Sequence, residues 1–171
     1  MITKAYILGV LHDATETKKT YRISQKSKAF VEMVASGIRS LGGSAWTYKE
    51  GKDRSVYVVE FSKSFLGGTV ISSSQDKRDY IRGYFDAEGG IAKSKSVRYY
   101  LYFAQKNRMD LLEVRSYLEE FGIECGKTHN PSSRIDPNYW RFYIRAKSYP
   151  DFAKIIGSDH PEKSRYIRLK I

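Results

Sequence analysis

The fold is decided by the segment Tyr80-Ile81-Arg82-Gly83-Tyr84-Phe85-Asp86-Ala87-Glu88-Gly89-Gly90. It lies inside a predicted helix over residues 76–90, which Asp76 can cap because its carboxylate accepts hydrogen bonds from free backbone N–H groups. Within this helix one glycine, Gly83, stands five residues before one acid, Glu88. The rest of the chain can be interpreted from this spacing.

A weaker form of the pattern occurs in Ile7-Leu8-Gly9-Val10-Leu11-His12-Asp13-Ala14-Thr15, on a helix with a small-residue face at Ala5 and Gly9. Short matches recur in the same order: Gly9 with Gly83 at an offset of 74, residues 23–26 (ISQK) with 103–106 (FAQK) at 80, and 61–64 (FSKS) with 145–148 (RAKS) at 84. Each half therefore reads helix, strands, helix, hairpin. This order predicts a duplication with pseudo-twofold symmetry.

The duplication sets the predicted domain organisation. Residues 67–75 (GGTVISSSQ) are rich in Gly and Ser and form the predicted linker between an N-terminal half, 1–66, and a C-terminal half, 76–171. The net charge of +11 is spread evenly, with +5 on residues 1–75 and +6 on residues 76–171. A basic tail on a neutral domain is thereby excluded, and a polyanion, with nucleic acid first, is the expected partner.

Several other classes of protein are excluded by composition. The single cysteine, Cys125, cannot form an intramolecular disulfide or a thiolate zinc site, and the three histidines lack metal-ligand spacing. No apolar run reaches the roughly 18 residues of a membrane span. We therefore expect an intracellular protein with no membrane partner.

Alternation in two segments predicts sheets with two unlike faces. When the two Gln-Lys pairs are aligned, Tyr21 and Ile23 fall on an apolar face, as do Leu101 and Phe103. The opposite face of each strand is basic or polar. Such a sheet carries helices on its apolar side only, and its free side can lie in a nucleic-acid groove, since a β-ribbon fits the major groove.

The segment 80–90 resembles the motif of the LAGLIDADG homing endonucleases, with Gly83 at the helix-packing position and Glu88 as the terminal acid. Two motifs in one chain imply the monomeric, duplicated type. The fold class that follows is α+β, with two pseudo-symmetric αββαββα-type halves. Each half has an antiparallel, saddle-shaped sheet with helices on one face, and the motif helices pack at the pseudo-dyad. The resemblance covers nearly the whole chain.

The first motif is degenerate and leaves two alternatives for its acid. Five residues after Gly9 stands Ala14, and the nearest acid is Asp13. Either the helix end is one residue shorter and Asp13 is the metal ligand, or this half has lost its acid. The first alternative is favoured because Asp-Ala resembles the Asp-Gly step that ends the motif.

The resemblance also implies a set of site residues. Asp13 and Glu88 are the expected catalytic acids and ligands of Mg²⁺, with Mn²⁺ as an alternative, because hard oxygen ligands suit such ions. The backbone carbonyls of His12 and Ala87 are further expected ligands. The remaining expected catalytic residues are Lys63 and Lys147, to stabilise developing charge, and Gln25 and Gln105, to position water. The expected DNA contacts are Lys18, Arg22, Lys26, Lys49, Lys52, Arg54, Lys93, Lys95, Arg98, Tyr100, Tyr102, Lys106, Lys127, Arg134, Arg141 and Arg145.

The function expected from the resemblance is site-specific, metal-dependent double-strand cleavage of a long asymmetric DNA target in intron mobility. A monomeric, free-standing, intron-encoded enzyme of archaeal or organellar type is expected. The alternative is an RNA maturase or a DNA-binding regulator on the same fold with impaired catalysis, for which intron RNA is a second partner. Ala14 keeps that alternative open. A structural RNA-binding protein would explain the charge but not the paired motif helices.

Overall fold

A computed structural model describes residues 1–94 and 96–171, so the expected DNA contact Lys95 lies outside the described residues. The helices are α1 (Lys4–Val10), α2 (Lys28–Ser40), α3 (Ser74–Glu88), α4 (Arg108–Glu120), α5 (Tyr149–Ile155) and α6 (Pro161–Lys170). The strands are β1 (Ala14–Glu16), β2 (Thr20–Gln25), β3 (Ala45–Lys49), β4 (Tyr57–Ser62), β5 (Gly89–Ile91), β6 (Leu101–Gln105) and β7 (Trp140–Tyr143). The predicted α+β class with antiparallel sheets is confirmed.

The chain divides into two compact units, Met1–Ala87 and Glu88–Ile171. The boundary falls near the end of α3 because that helix packs on α1. These compact units do not have the same boundaries as the predicted sequence repeats, because each repeat begins with its own motif helix. The predicted linker at 67–75 therefore stays a prediction about the repeats.

The first unit is built on a four-stranded antiparallel sheet with the order β1-β2-β4-β3. Its apolar face carries Ile23 and Val59, which are fully buried and pack with the α2 residues Phe30 and Val34. Ser27 caps α2 by accepting a hydrogen bond from the Phe30 backbone N–H. The helix α2 therefore covers the side of the sheet that carries Ile23 and Val59. The opposite side of the sheet is called its free face.

The start of α3 differs in detail from the prediction that Asp76 caps it. The helix begins at Ser74, and Ser73 and Asp76 form a reciprocal capping box. The Asp76 N–H donates to Ser73 Oγ at 3.0 Å, and the Ser73 N–H donates to Asp76 Oδ2 at 2.9 Å. The hydrogen bonds that the Asp76 carboxylate accepts from Ser73 and Ser72 lower its pKa. Asp76 is thus the third helical residue of the box and not the cap itself.

The second unit carries a three-stranded antiparallel sheet with the order β5-β6-β7. Next to β7 the chain forms two isolated bridges, Cys125 with Ile144 and His129 with Arg141. His129 lies four residues after Cys125, whereas Ile144 lies only three residues after Arg141. The segment 125–129 therefore has one extra residue, which interrupts the pairing as a β-bulge.

The chain ends in α5 and α6. His160 caps α6, and its Nδ1 accepts hydrogen bonds from the N–H groups of Glu162 and Lys163. Burial lowers the pKa of His160 to about 4, which keeps Nδ1 free to accept. Among the helices of the described residues, none combines the length and the hydropathy that a membrane crossing requires.

Candidate active site and nucleic-acid interface

The motif helices α1 and α3 approach each other closely at their glycines. A Cβ atom on Gly9 would lie 2.1 Å from the Tyr80 carbonyl oxygen, and one on Gly83 would lie 2.0 Å from the Tyr6 carbonyl oxygen. No side chain can be placed at either position without moving backbone. The predicted role of both glycines in helix contact is confirmed.

Two hydrogen bonds cross the same helix pair. The Tyr6 hydroxyl donates to Asp86 Oδ2 at 2.6 Å, and His12 Nε2 and the Tyr80 hydroxyl are hydrogen-bonded at 2.6 Å. Tyr6 and Tyr80 are 74 residues apart, and so are His12 and Asp86. The two bonds are therefore equivalent under the offset that relates the glycines, and the helix pair is pseudo-symmetric.

Asp86 is not among the site residues that the resemblance implies. The structure buries Asp86 as an acceptor in the helix pair. The offset of 74 that relates the two glycines could have identified Asp86 from the sequence. Applied to the whole motif, it makes Tyr6 equivalent to Tyr80 and His12 equivalent to Asp86.

The strand register bears on which residue of the first motif stands at the acid position. Ala14 in β1 pairs with Ile23, and Gly89 in β5 pairs with Phe103. Ile23 and Phe103 are equivalent when the two Gln-Lys pairs are aligned. Ala14 is thus equivalent to Gly89, and the acid preceding each strand is Asp13 in the first half and Glu88 in the second.

The missing residue in the first motif is compensated by a change of helix type. Residues Leu11–Asp13 form a 3-10 turn, whereas α3 remains α-helical as far as Glu88. A 3-10 turn rises about 2.0 Å per residue and an α-helix about 1.5 Å. Four residues from Gly9 to Asp13 and five from Gly83 to Glu88 therefore both cover about 7.5 Å along the axis.

Gln25 lies beside the first acid. Its side-chain amide donates a hydrogen bond to Asp13 Oδ2, and both residues are half-buried. In the second unit the side-chain oxygen of Gln105 accepts from the Lys106 backbone N–H at 2.6 Å. Lys26 and Lys106, which follow the glutamines, are exposed, and neither has an ion pair within the described ranges 1–94 and 96–171.

The structure corrects the placement expected for Lys63. Thr20 pairs with Ser62, whereas Gln25, beside Asp13, pairs with Tyr57. Lys63 therefore follows β4 at the far end of β2, about 17 Å along the strand from the acid. There its ammonium forms an ion pair with Glu16.

Lys147 is corrected in the same way. The backbone N–H of Ile144 donates to the Leu101 carbonyl, which places the end of β7 at the start of β6, away from Gln105. Lys147 Nζ lies 2.6 Å from Glu124 Oε1. The strand register makes Val59 equivalent to Phe142, which is an offset of 83 residues. The sequence match between FSKS and RAKS had assumed an offset of 84. The two lysines are thus not equivalent positions.

The free face of the first sheet carries a charged, hydrogen-bonded network. Arg22 Nε donates to the Tyr48 hydroxyl at 2.9 Å, and Glu60 accepts from Tyr48 at 3.0 Å and from Thr20 at 2.6 Å. Arg22 and Glu60 also form an ion pair at 3.6 Å. Burial and the bond to Glu60 raise the pKa of Tyr48, so its hydroxyl stays a donor.

The free face of the second sheet carries an aromatic cluster around Arg141. The guanidinium donates to the hydroxyls of Tyr143 and Tyr139, at 3.1 Å and 2.8 Å. Its Cζ lies 4.2 Å from the ring centroid of Tyr102. Burial raises the pKa of Tyr102.

The other expected DNA contacts are for the most part exposed. Lys93 is among them but is in an ion pair with Glu162 at 3.0 Å. Arg145 follows β7, which ends at Tyr143. The expected contacts that are exposed are Lys18, Lys26, Lys49, Lys52, Arg54, Lys93, Arg98, Lys106, Lys127, Arg134 and Arg145.

The donor atoms present fit a hard divalent cation held only in part by protein. Within the described residues no three His, Cys, Asp or Glu side chains lie together in a way that could hold a metal ion. One carboxylate in each half, with a neighbouring carbonyl, leaves most coordination positions to water and phosphate. Mg²⁺ binds in this manner.

Comparisons with known proteins agree with the fold. Residues 75–157 match the family model described as a LAGLIDADG-like domain. I-DmoI in complex with DNA and Mn gives a TM-score of 0.67 at 19% identity, over 90% of this chain and 94% of that one. I-DmoI in complex with DNA and Ca gives 0.71 at 20% identity, over 98% and 96%.

The same architecture also occurs in a protein of a different name. Full-length DUF199/WhiA from Thermatoga maritima gives a TM-score of 0.72 at 18% identity, over 98% of this chain and 59% of that one. A search of curated protein sequences found no significant match. The resemblance in fold is therefore shared by chains described as a homing endonuclease and as DUF199/WhiA.

Proposed function

We propose that this chain, whose residues 75–157 match the model of a LAGLIDADG-like domain, is a site-specific DNA endonuclease that makes a metal-dependent double-strand break. The observation that carries the proposal is the register of the two acids. Asp13 and Glu88 each immediately precede the first strand of their half, in spite of the missing residue in the first motif. A degenerate motif that keeps its acid at the equivalent place is what two-strand cleavage requires.

Double-stranded DNA is the proposed partner because of the charge and the free sheet faces. The net charge of +11 is shared by both halves, α2 covers the Ile23 face of the first sheet, and the side of the second sheet that carries Tyr102 and Tyr143 is partly exposed. Exposed lysines and arginines on and around those faces would neutralise phosphates. Side chains such as Arg22 and Tyr102 would face base edges in the major groove. I-DmoI structures in complex with DNA support the same partner.

Asp13 and Glu88 would each hold one divalent ion, with the carbonyls of His12 and Ala87 as further ligands. Bound there, Mg²⁺ or Mn²⁺ activates water and neutralises charge on the phosphate. Gln25 fixes the orientation of the Asp13 carboxylate through its amide hydrogen bond, which leaves the amide oxygen to accept from a water. Lys26 and Lys106, free of ion pairs within the described residues, would hold the flanking phosphates.

The test begins with a target selected by binding from a pool of random DNA duplexes in Ca²⁺. The selected site is placed in a supercoiled plasmid, and conversion to linear DNA is followed in Mg²⁺ and in Mn²⁺. We expect wild type to linearise the plasmid, and Asp13→Asn and Glu88→Gln each to lose linearisation by at least about a hundredfold while binding persists. Glu113→Gln, on an exposed face of α4, is the matched control.

A second function is favoured by one observation, the similarity to DUF199/WhiA at a TM-score of 0.72. This second function is that of a DNA-binding regulator or an RNA maturase, which binds DNA or structured intron RNA without cutting. Tight duplex binding with no linear product in either metal would support the regulator and refute the nuclease. Tighter binding to the intron RNA than to any selected duplex would support the maturase.

A further inference from the structure

The two free sheet faces differ at equivalent positions. In the first sheet Arg22 pairs with Glu60, and in the second Tyr102 pairs with Tyr143. The alignment of Ile23 with Phe103 makes these pairs equivalent. One face therefore presents an ion pair where the other presents two aromatic rings.

The aromatic pair belongs to a larger cluster on the second sheet. The ring centroids of Tyr100, Tyr102 and Tyr143 are 5.8–6.2 Å apart, and the His129 ring stacks on Tyr143 at 6.1 Å and 15°. Tyr143 is 36% exposed although it is large and apolar. This cluster, Tyr100, Tyr102, His129, Tyr139, Arg141 and Tyr143, is called the tyrosine patch below.

Arg141 is held by its neighbours inside the tyrosine patch. Both terminal nitrogens already donate to Tyr139 and Tyr143, and the guanidinium carbon lies 4.2 Å from the Tyr102 ring. These contacts use two of its five N–H donors and hold the guanidinium against the rings. What the patch offers outward is ring carbon, together with hydroxyl hydrogens whose oxygens already accept from Arg141.

We propose that the tyrosine patch recognises the 5-methyl groups of thymine in the DNA half-site that the second sheet binds. Thymine alone presents a methyl group and an O4 acceptor in the major groove, and these match an aromatic carbon surface and a hydroxyl donor. Exposed basic side chains near the patch, Lys127, Arg134 and Arg145, would hold the backbone on either side. This inference rests on the proposed duplex-binding function.

The test replaces thymine by deoxyuridine, which removes the methyl group and keeps every hydrogen-bonding atom. A duplex selected in Ca²⁺ is synthesised with each thymine of the second half-site replaced in turn, and affinities are measured in Ca²⁺, without cleavage. For wild type we expect a loss of about three- to fivefold at each contacted thymine, since each buried methyl contributes about the free energy of one CH₂.

Protein variants assign the effect to the patch. We expect Tyr143→Ser to bind the thymine and deoxyuridine duplexes equally, Tyr143→Phe to keep the preference for thymine, and Tyr166→Ser, on α6, to behave as wild type. Because the comparison in wild type needs no variant, a misfolded variant would not obscure it.

Each outcome decides the proposal. Wild-type affinity that is equal for both duplexes at every thymine, or a preference that survives in Tyr143→Ser, would overturn the assignment while leaving duplex binding intact. Tighter binding to a single-stranded RNA of the same sequence would overturn it in favour of base stacking on unpaired nucleotides. Failure to bind any duplex would instead overturn the proposed function on which the assignment rests.

Discussion

Replacing Gly83 by alanine tests the close approach of the motif helices most directly. The new Cβ would lie 2.0 Å from the Tyr6 carbonyl oxygen and 2.9 Å from its carbonyl carbon, whereas ordinary contact begins near 3.4 Å. Because both atoms are backbone, α1 and α3 must separate by about 1.4 Å. The Tyr6–Asp86 hydrogen bond, now 2.6 Å, would then approach 4 Å and be lost.

These effects give the size of the loss. Overpacking costs about 1–3 kcal/mol, and a buried acceptor that loses its donor costs about 1–3 kcal/mol. Alanine returns about 1 kcal/mol of helix propensity relative to glycine. We expect a net loss of about 3 kcal/mol in the free energy of unfolding, and a fall in melting temperature of roughly 6–12 °C for a chain of this length.

The measurement is thermal and urea denaturation followed by circular dichroism. Gly126→Ala is the matched control, since its Cβ would meet only ordinary contacts at 3.4 Å and 3.9 Å. It should stay within about 0.5 kcal/mol of wild type. A Gly83→Ala variant as stable as Gly126→Ala would refute the close helix approach and with it the equivalence of the two motifs.

Two further predictions concern His160 and the lysines. The folded-state pKa of His160 is about 4, below its usual 6.5, so the unfolded chain binds more protons between these values. The free energy of unfolding is then highest above pH 6.5 and falls by roughly 2–3 kcal/mol as the pH drops to 4. His160→Asn should largely abolish this pH dependence, which urea titrations at each pH would measure. For the lysines, Lys63→Ala and Lys147→Ala should leave the cleavage rate of the bound plasmid unchanged. In contrast, Lys26→Ala and Lys106→Ala should each reduce the salt dependence of duplex binding by about one phosphate contact. A loss of rate in the first pair equal to that in Asp13→Asn would contradict the strand register.

Local patterns in the sequence predicted the elements that depend on local rules. Residues 27–41 show helical periodicity between Ser27 and a glycine pair, and α2 occupies Lys28–Ser40. Capping and periodicity involve side chains a few residues apart, so they can be read directly from a sequence.

What sequence reasoning missed depends on long-range pairing. Lys63 and Lys147 end matching segments, but only the register Thr20 with Ser62 shows that such a strand end is far from the acid. The bulge between Cys125 and His129 cannot be seen without its partner strand. The 3-10 turn before Asp13 is a further example, because the sequence alone left two alternatives for the acid of the first motif, and only the rise per residue of that turn brings Asp13 to the equivalent place.

The duplication has kept some positions equivalent and let others diverge, and packing explains which. Gly9 and Gly83 face backbone at about 2 Å, so neither can change without moving the other helix. Arg22–Glu60 and Tyr102–Tyr143 lie on free faces, where a substitution displaces no backbone. The proposed cleavage site can therefore remain paired while the two proposed DNA-binding faces become unlike. A chain of this design suits an asymmetric target, whose half-sites need different chemistry to read them.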